Sequence, residues 1–298
     1  MEVIILGQSH EQRTTHLANS WKNKFAGECY CVNYNIDNQG YNLDKIGLKD
    51  YKTYKSTPNK NLVQSLEEDL MNVLSEKKNI LIDITSLKQP FFFYLLKLLK
   101  RSFRLNKIFA SYTQPLQYVS QDESTSYDYT LSEEFRGIRS LPGFAIKANY
   151  KKKKVLVATL GFEGKRFKRV YNEIGPNNED VHVITGFPPF SPGWQYISYT
   201  SNMDMLQSTT AFHQMYRATA YEPFSILNTL NDIKSTNLGC EIVLAPIGTK
   251  PHALGAALFA IKNEDVRFIY DYPVVGKNTR TVSIGNSYLY DITESLYG

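Results

Sequence analysis

The chain has 298 residues, which allows one large domain or two of ordinary size. Hydrophobic residues at 42% and charged residues at 21% match ordinary soluble composition and exclude disorder and collagen-like repeats. A net charge of +5 with no dominant charge block makes no case for a dedicated duplex-DNA binder.

The chain opens on Glu2-Val3-Ile4-Ile5-Leu6-Gly7, an unalternating apolar run that reads as a strand buried on both faces, with a helix over 8–24. No basic stretch or small-residue cleavage site follows Met1, so no signal peptide is expected. The longest apolar runs, 91–96 and 253–261, fall short of the roughly 20 residues that span a bilayer. Three cysteines (Cys29, Cys31 and Cys240) without a CxxC pattern predict a reducing compartment and no structural zinc. The expectation is a cytoplasmic protein with no membrane partner.

A strand over 79–85 leads through Ser86-Leu87-Lys88-Gln89-Pro90 into an apolar helix over 91–103 and a strand from Lys107 to Pro115. Residues 120–149 are rich in Ser, Tyr and charge and read as a connection, although 137–144 could pack on either side. The same order of parts then returns. Val155-Leu156-Val157-Ala158-Thr159-Leu160-Gly161 precedes a helix over 162–174, and Cys240-Glu241-Ile242-Val243-Leu244-Ala245 enters Pro246-Ile247-Gly248-Thr249-Lys250-Pro251, with a helix over 253–261 and a strand over 266–272. This repetition predicts an α/β fold of two tandem Rossmann-like units with largely parallel sheets, at 1–119 and 151–298 around a linker at 120–150. One extended α/β sheet is the alternative.

In such sheets ligands bind beyond the carboxyl ends of the strands, where helix N-termini favour phosphate or carboxylate. In Gly248-Thr249-Lys250-Pro251-His252, Gly248 allows close backbone approach, Thr249 offers a hydroxyl and Lys250 an ammonium. The GxxxxGK[ST] spacing of a P-loop is absent, and helix capping by Thr249 with Lys250 in solvent is the competing assignment. Gly161-Phe162-Glu163-Gly164-Lys165-Arg166 has two glycines at a strand-to-helix turn but not the GxGxxG of a dinucleotide site. Gly7-Gln8-Ser9-His10-Glu11-Gln12-Arg13 keeps Gly, Glu and Arg in similar order, either as a repeated ion pair or as half of a composite site.

Gly186-Phe187-Pro188-Pro189-Phe190-Ser191-Pro192-Gly193-Trp194 forms a rigid aromatic loop that either lines a pocket and stacks on a base or covers the core. A helix over 213–223 would set His213, Tyr216 and Arg217 on one face. His252, His213 and Glu163 are the acid/base candidates. The histidines form no HxH or HExxH pair, so neither a metal nor a cofactor is expected, and no GxSxG elbow is present. The run Lys151-Lys152-Lys153-Lys154 before a buried strand reads as solvated gatekeepers, which makes nucleic acid the less favoured partner.

Ile82-Asp83-Ile84-Thr85-Ser86-Leu87-Lys88 resembles a strand-end motif of CRISPR-associated Rossmann-fold (CARF) domains. The resemblance covers some seven residues, lacks the family's turn glycine at Ser86-Leu87, and is fainter in the second half, where Ala245 and Ile247 stand at the Asp and Thr positions. It implies a ligand-sensing domain in prokaryotic antiviral defence, with the second half as partner in cis, Gly248-Thr249-Lys250 opposite Ser86-Leu87-Lys88. The expected function is binding of a phosphate-bearing small molecule, a nucleotide, by a sensor. Lys88, Lys250 and Arg166 would neutralise phosphate, Thr85 and Thr249 would hydrogen-bond it, and Trp194 or Phe190 would stack on a base, with Gly161 and Gly248 giving backbone access. An enzyme acting on a nucleotide or nucleoside, or a non-catalytic subunit beside a separately encoded effector protein, are the alternatives, and homo-oligomer formation is left open.

Overall fold

The computed structural model describes residues 1–9, 11–21, 23–48, 55–118, 134–149, 151–274 and 281–298. They form two compact units, one from the described residues of Met1–Tyr118 and Thr279–Gly298, the other from those of Val119–Asn278.

The first unit contains β1 (Val3–Gly7), α1 (His16–Trp21), β2 (Glu28–Asn35), β3 (Gly40–Ile46), β4 (Lys60–Asn61), α2 (Leu62–Leu74), β5 (Asn79–Asp83), α3 (Gln89–Ser102) and β6 (Lys107–Tyr118). β1 pairs in parallel with β2 and β5, and β5 pairs in parallel with β6. All five residues of β1 are buried, as its unbroken apolar sequence predicts. Cys29 and Cys31 alternate onto one face of β2 and pack with Ile4, Leu6 and Leu81 as free thiols. Asn61 starts α2, its side chain accepting from the Val63 and Gln64 amides, and Leu62, Leu66, Leu70 and Val73 give the helix one buried stripe. Pro90 opens α3, where its missing N–H costs nothing, and ten residues of that helix are buried. In place of one helix over 8–24 the chain makes a single 3-10 turn, Gln12–Thr15, and the short α1.

The second unit contains β7 (Glu134–Phe135), β8 (Arg139–Ser140), β9 (Lys154–Thr159), α4 (Gly164–Ile174), β10 (Val181–Gly186), α5 (Trp194–Ser208), β11 (Met215–Ala218), α6 (Pro223–Thr236), β12 (Glu241–Ala245), α7 (Lys250–Lys262), β13 (Arg267–Tyr270) and β14 (Pro273–Val274). Its sheet runs β11-β10-β9-β12-β13-β8, parallel except for β8. Phe167, Val170 and Ile174 of α4 and Met205 and Leu206 of α5 pack on Leu156, Ala158, Val181, Val183, Val243 and Ala245 of the sheet. The fold is thus mixed α/β with two mostly parallel sheets of 7 and 6 strands.

Three expectations change. Residues 119–133 and 150 of the expected linker lie outside the described residues, as does His10. The remainder is part of the second unit: β8 pairs with β13, and Leu141 and Phe144 are buried, Phe144 with its ring 5.1 Å from Phe268. The chain's end does not belong to that unit. β15 (Thr281–Asp291) pairs antiparallel with β6 from Thr281↔Tyr118 to Asp291↔Phe109, and α8 (Thr293–Tyr297) follows it. The expected unit at 151–298 therefore gives up its last strand and helix to the first unit, because β6 offers an edge that β15 fills. The expected helix over 213–223 is also absent: Met215–Ala218 is β11, in parallel register with Val183–Gly186, so pairing with the sheet overrides a helix-compatible local sequence.

Candidate functional site

In both sheets the strand order reverses beside the first parallel strand, between β1 and β5 and between β9 and β12. Crevices for ligands form outside the carboxyl ends of strands at such points. A Cβ on Gly7 would stand 2.6 Å from the Leu87 amide nitrogen, and one on Gly161 would stand 2.8 Å from the Ile247 carbonyl oxygen. The Gly248 amide donates to Thr159 Oγ1 at 2.8 Å. Each unit therefore brings its two switch-point loops together backbone against backbone, which requires glycine.

The repeated acidic and basic residues beside these turns form ion pairs within each unit. In the first, Arg13 Nε lies 2.6 Å from Glu11 Oε2, and Nη1 donates to the Tyr112 hydroxyl at 3.0 Å and to the Thr113 carbonyl at 3.1 Å. In the second, Arg166 donates to both carboxylate oxygens of Asp271, with Glu163 at 3.8 Å. The two guanidiniums lie 5.7 Å and 5.8 Å from the rings of Tyr112 and Tyr270, which occupy corresponding strands. Burial opposes the charge of Arg166, and Asp271, Tyr270 and Glu163 outweigh it, raising its pKa. Arg166 was expected to neutralise a ligand phosphate; at 8% exposure its guanidinium belongs to Asp271 instead.

The expected hydroxyl at Thr85 is similarly engaged. It donates to Asp83 at 2.5 Å and accepts from the Thr113 amide at 2.9 Å. Ser86 donates to Thr14 at 2.7 Å, and Lys88 is half-buried at the N-cap of α3. These bonds fasten the first unit's switch-point loops to one another.

The carboxyl edge of the second sheet has a different surface. Phe162 follows β9, Phe190 and Trp194 follow β10, and Tyr221 follows β11. Their rings form a continuous chain: Phe162 to Trp194 at 5.7 Å, Trp194 to Phe190 at 6.4 Å, and Phe190 to Tyr221 at 6.1 Å. All four are half-buried, so each keeps some surface toward solvent. The prolines stiffen the loop, Gly193 at φ +91° turns it into α5, and two backbone bonds, Phe187 to Ala218 and Ala220 to Pro188, tie it to the loop after β11. Phe187 stands apart, 41% exposed, with the Arg217 guanidinium 5.4 Å from its ring centre.

Behind the aromatics, Asn202 Nδ2 donates to the Gly161 carbonyl at 2.9 Å and the Ser198 carbonyl at 2.8 Å, and Ser198 Oγ also reaches Gly161 at 3.3 Å. Asn202 Oδ1 and Thr185 Oγ1 are buried without a hydrogen-bond partner, although buried polar groups are ordinarily paired. Thr249 caps α7: its hydroxyl accepts from the His252 amide and donates to the Ala220 carbonyl at 2.9 Å. The His252 ring is fully buried, with Nε2 3.0 Å from the Thr219 carbonyl oxygen. Burial lowers its pKa to about 4, the Thr219 and Ala218 carbonyls pulling only partly the other way. Lys250 is half-buried in the first turn of α7, and Glu163 is the half-buried N-cap residue of α4.

The structure thus gathers Gly161, Glu163, Trp194, Gly248, Thr249 and Lys250 at one sheet edge, with His252 packed beneath it. Thr85 and Lys88 belong to the other unit, and His213 precedes β11 at the amino edge of the sheet. Tyr221, Thr185, Ser198 and Asn202 escape the sequence. Reading 215–218 as a strand would have placed Tyr221 in the next loop, whereas nothing local marks the two helix polar residues.

Among the described residues no group of three His, Cys, Asp or Glu is placed to hold a metal ion, and no helix is long and apolar enough to cross a membrane. No family model and no curated protein matches the chain. Among solved structures it is similar to a universal stress protein from Archaeoglobus fulgidus DSM 4304, at 10% identity over 91% of this chain and 96% of that chain, with a TM-score of 0.23.

Proposed function

We propose that the carboxyl edge of the second unit binds a nucleotide and that the protein works as a sensor. The observation that carries this is the chain of four aromatic rings across the ends of three adjacent strands. A base stacks on such rings whatever its identity, for about 1–3 kcal/mol. Beside them Lys250 supplies positive charge in the first turn of α7.

Sensing is favoured over turnover by the placement of the acid/base candidates. His252 is buried against backbone carbonyls, His213 lies at the other edge, and Glu163 is the remaining group at the site, 3.8 Å from Arg166. One carboxylate beside a guanidinium does not make an acid and base pair. Antiviral defence, the setting implied by the strand-end resemblance, is part of the same proposal.

The test is thermal shift and calorimetry of the purified chain against mono-, di- and cyclic nucleotides. A nucleotide at 100 times its Kd stabilises the fold by about 2.7 kcal/mol. A hit weakened by both Trp194→Ala and Lys250→Ala, with the nucleotide recovered unchanged, supports the proposal. No shift with any nucleotide overturns it, and a consumed nucleotide makes the protein an enzyme.

A further inference from the structure

The second unit also has a cavity at the opposite, amino-terminal edge of its sheet, of about 580 Å³. That volume lies within the range of about 300–1,000 Å³ usual for small-molecule sites. His182 of β10, Tyr216 of β11, Glu179 and Asp180 ahead of β10, and Thr236 and Asn237 at the end of α6 are among its walls. We propose that this cavity binds a small organic ammonium ion of the polyamine type.

The electrostatics favour a cation. The last turn of α6 presents the negative end of a 14-residue helix. The side-chain donors there turn back onto the helix, Thr236 Oγ1 at 3.0 Å and Asn237 Nδ2 at 2.8 Å from the Ile233 carbonyl oxygen. Lys153 also lines the cavity, but its ammonium is 2.6 Å from Asp180 and is attracted by the exposed Glu179 as well, so two carboxylates face one lysine and the balance is negative. An anion would meet one lysine already paired, the His213 ring and the wrong end of a helix dipole.

The partly exposed Tyr216 ring suits an ammonium group. The His182 and Tyr216 rings lie 5.7 Å apart and tilted by 34°. Ring faces attract cations, more strongly where water is reduced. His182 is 8% exposed, and burial lowers its pKa ahead of the opposing effect of Asp180, so the ring is neutral near pH 7. Its Nδ1 has no hydrogen-bond partner. A bare metal ion fits less well, because no three His, Cys, Asp or Glu side chains of the described residues are placed to ligate one.

The experiment is titration calorimetry of the full chain with putrescine, spermidine and inorganic phosphate, at a pH well above the imidazole range and at low and high salt. At least one amine is expected to bind saturably, more weakly in high salt, and about tenfold more weakly in both Tyr216→Ala and Glu179→Gln. Tyr216→Phe keeps the ring and retains binding, which covers the case in which Tyr216→Ala fails to fold. Trp194→Ala, at the other edge of the sheet, leaves amine binding unchanged, so this proposal and the nucleotide proposal fail separately. No saturable binding of either amine, wild-type affinity in Glu179→Gln, loss of binding in Tyr216→Phe, or phosphate binding more tightly than either amine overturns it.

Discussion

Arg166 and Asp271 form a two-point ion pair beneath the carboxyl edge of the second sheet, Nε to Oδ2 at 2.7 Å and Nη2 to Oδ1 at 2.6 Å. Asp271 is completely buried, so neither charge can be solvated if the other is removed. Asp271→Asn is expected to destabilise the second unit by about 3–5 kcal/mol, because it leaves the guanidinium buried and unpaired. Replacing both residues with apolar ones of similar volume should cost much less. Denaturant unfolding of the single and double variants measures the difference, and equal losses would show that the pair is not the source of the effect.

His252 gives the fold a pH dependence whose sign follows from its neutral state. The unfolded chain takes up this proton near 6.5, whereas the folded ring resists it down to about 4. Between those values the unfolded state binds more protons, so this contribution is complete above pH 6.5 and is lost as the pH falls toward 4. The full loss amounts to roughly 3 kcal/mol. His182, also lowered by burial, acts in the same direction. Urea midpoints at about pH 7.5 and about pH 5 should therefore diverge in the wild type and draw closer in His252→Gln. An unchanged divergence in that variant would place the titration elsewhere.

The α/β class and the repeated order of parts were legible because buried parallel strands have no alternation to hide: Val3–Leu6 and Val155–Ala158 are wholly apolar and lead into Gly7 and Gly161. The repeated Gly, Glu and Arg were visible as well, but only coordinates separate an ion pair within each unit from a shared ligand site. β11 was misread because Met215-Tyr216-Arg217-Ala218 favours neither helix nor strand decisively and its neighbour β10 decides. β15 was missed for another reason: one of its faces is exposed and its partner lies more than 160 residues earlier in the chain, so no local pattern names it.

The glycine contacts of the second unit predict a stability cost that depends on what each Cβ would strike. On Gly161 it would meet the Ile247 carbonyl oxygen at 2.8 Å, and on Gly164 it would fall on the Ser201 carbonyl. On Gly175 nothing lies within 4 Å, although φ is +58°. Gly161→Ala should cost about 1–3 kcal/mol and Gly164→Ala more, because backbone must move. Gly175→Ala should cost no more than the strain of its left-handed conformation, about 1 kcal/mol. Thermal unfolding ranks the three, and Gly175→Ala as the worst would contradict the close backbone approach at Gly161 and Gly164.

Trp194 contacts both Phe162 and Phe190 and therefore stands in the middle of the aromatic chain. For a bound nucleotide, Trp194→Ala should weaken affinity by about 1–3 kcal/mol, roughly 5- to 150-fold, while Trp194→Phe retains most of it. The half-buried side chain makes the expected change in Tm small by comparison. Calorimetry and thermal melts on the same samples separate the two. A large fall in Tm with no change in affinity would make the ring a cover for the core.

The return of the chain's end to the first sheet yields a prediction opposite in direction to the one drawn from sequence. Ile292 and Leu296 are completely buried, and the Ile292 amide donates to the Ile108 carbonyl of β6 at 3.0 Å. Lys100 of α3 donates to the Tyr297 carbonyl at 3.0 Å, so α8 is fastened to the first unit at both its helix and its sheet. Ile292→Ala or Leu296→Ala removes buried methyl groups there and should cost about 2–5 kcal/mol. Hydrogen exchange should then show lost protection in β5 and β6, with β9 and β12 retaining theirs. A unit running unbroken from 151 to 298 would lose protection in β9 and β12 instead, so one exchange experiment on the full-length variants decides which sheet β15 and α8 complete.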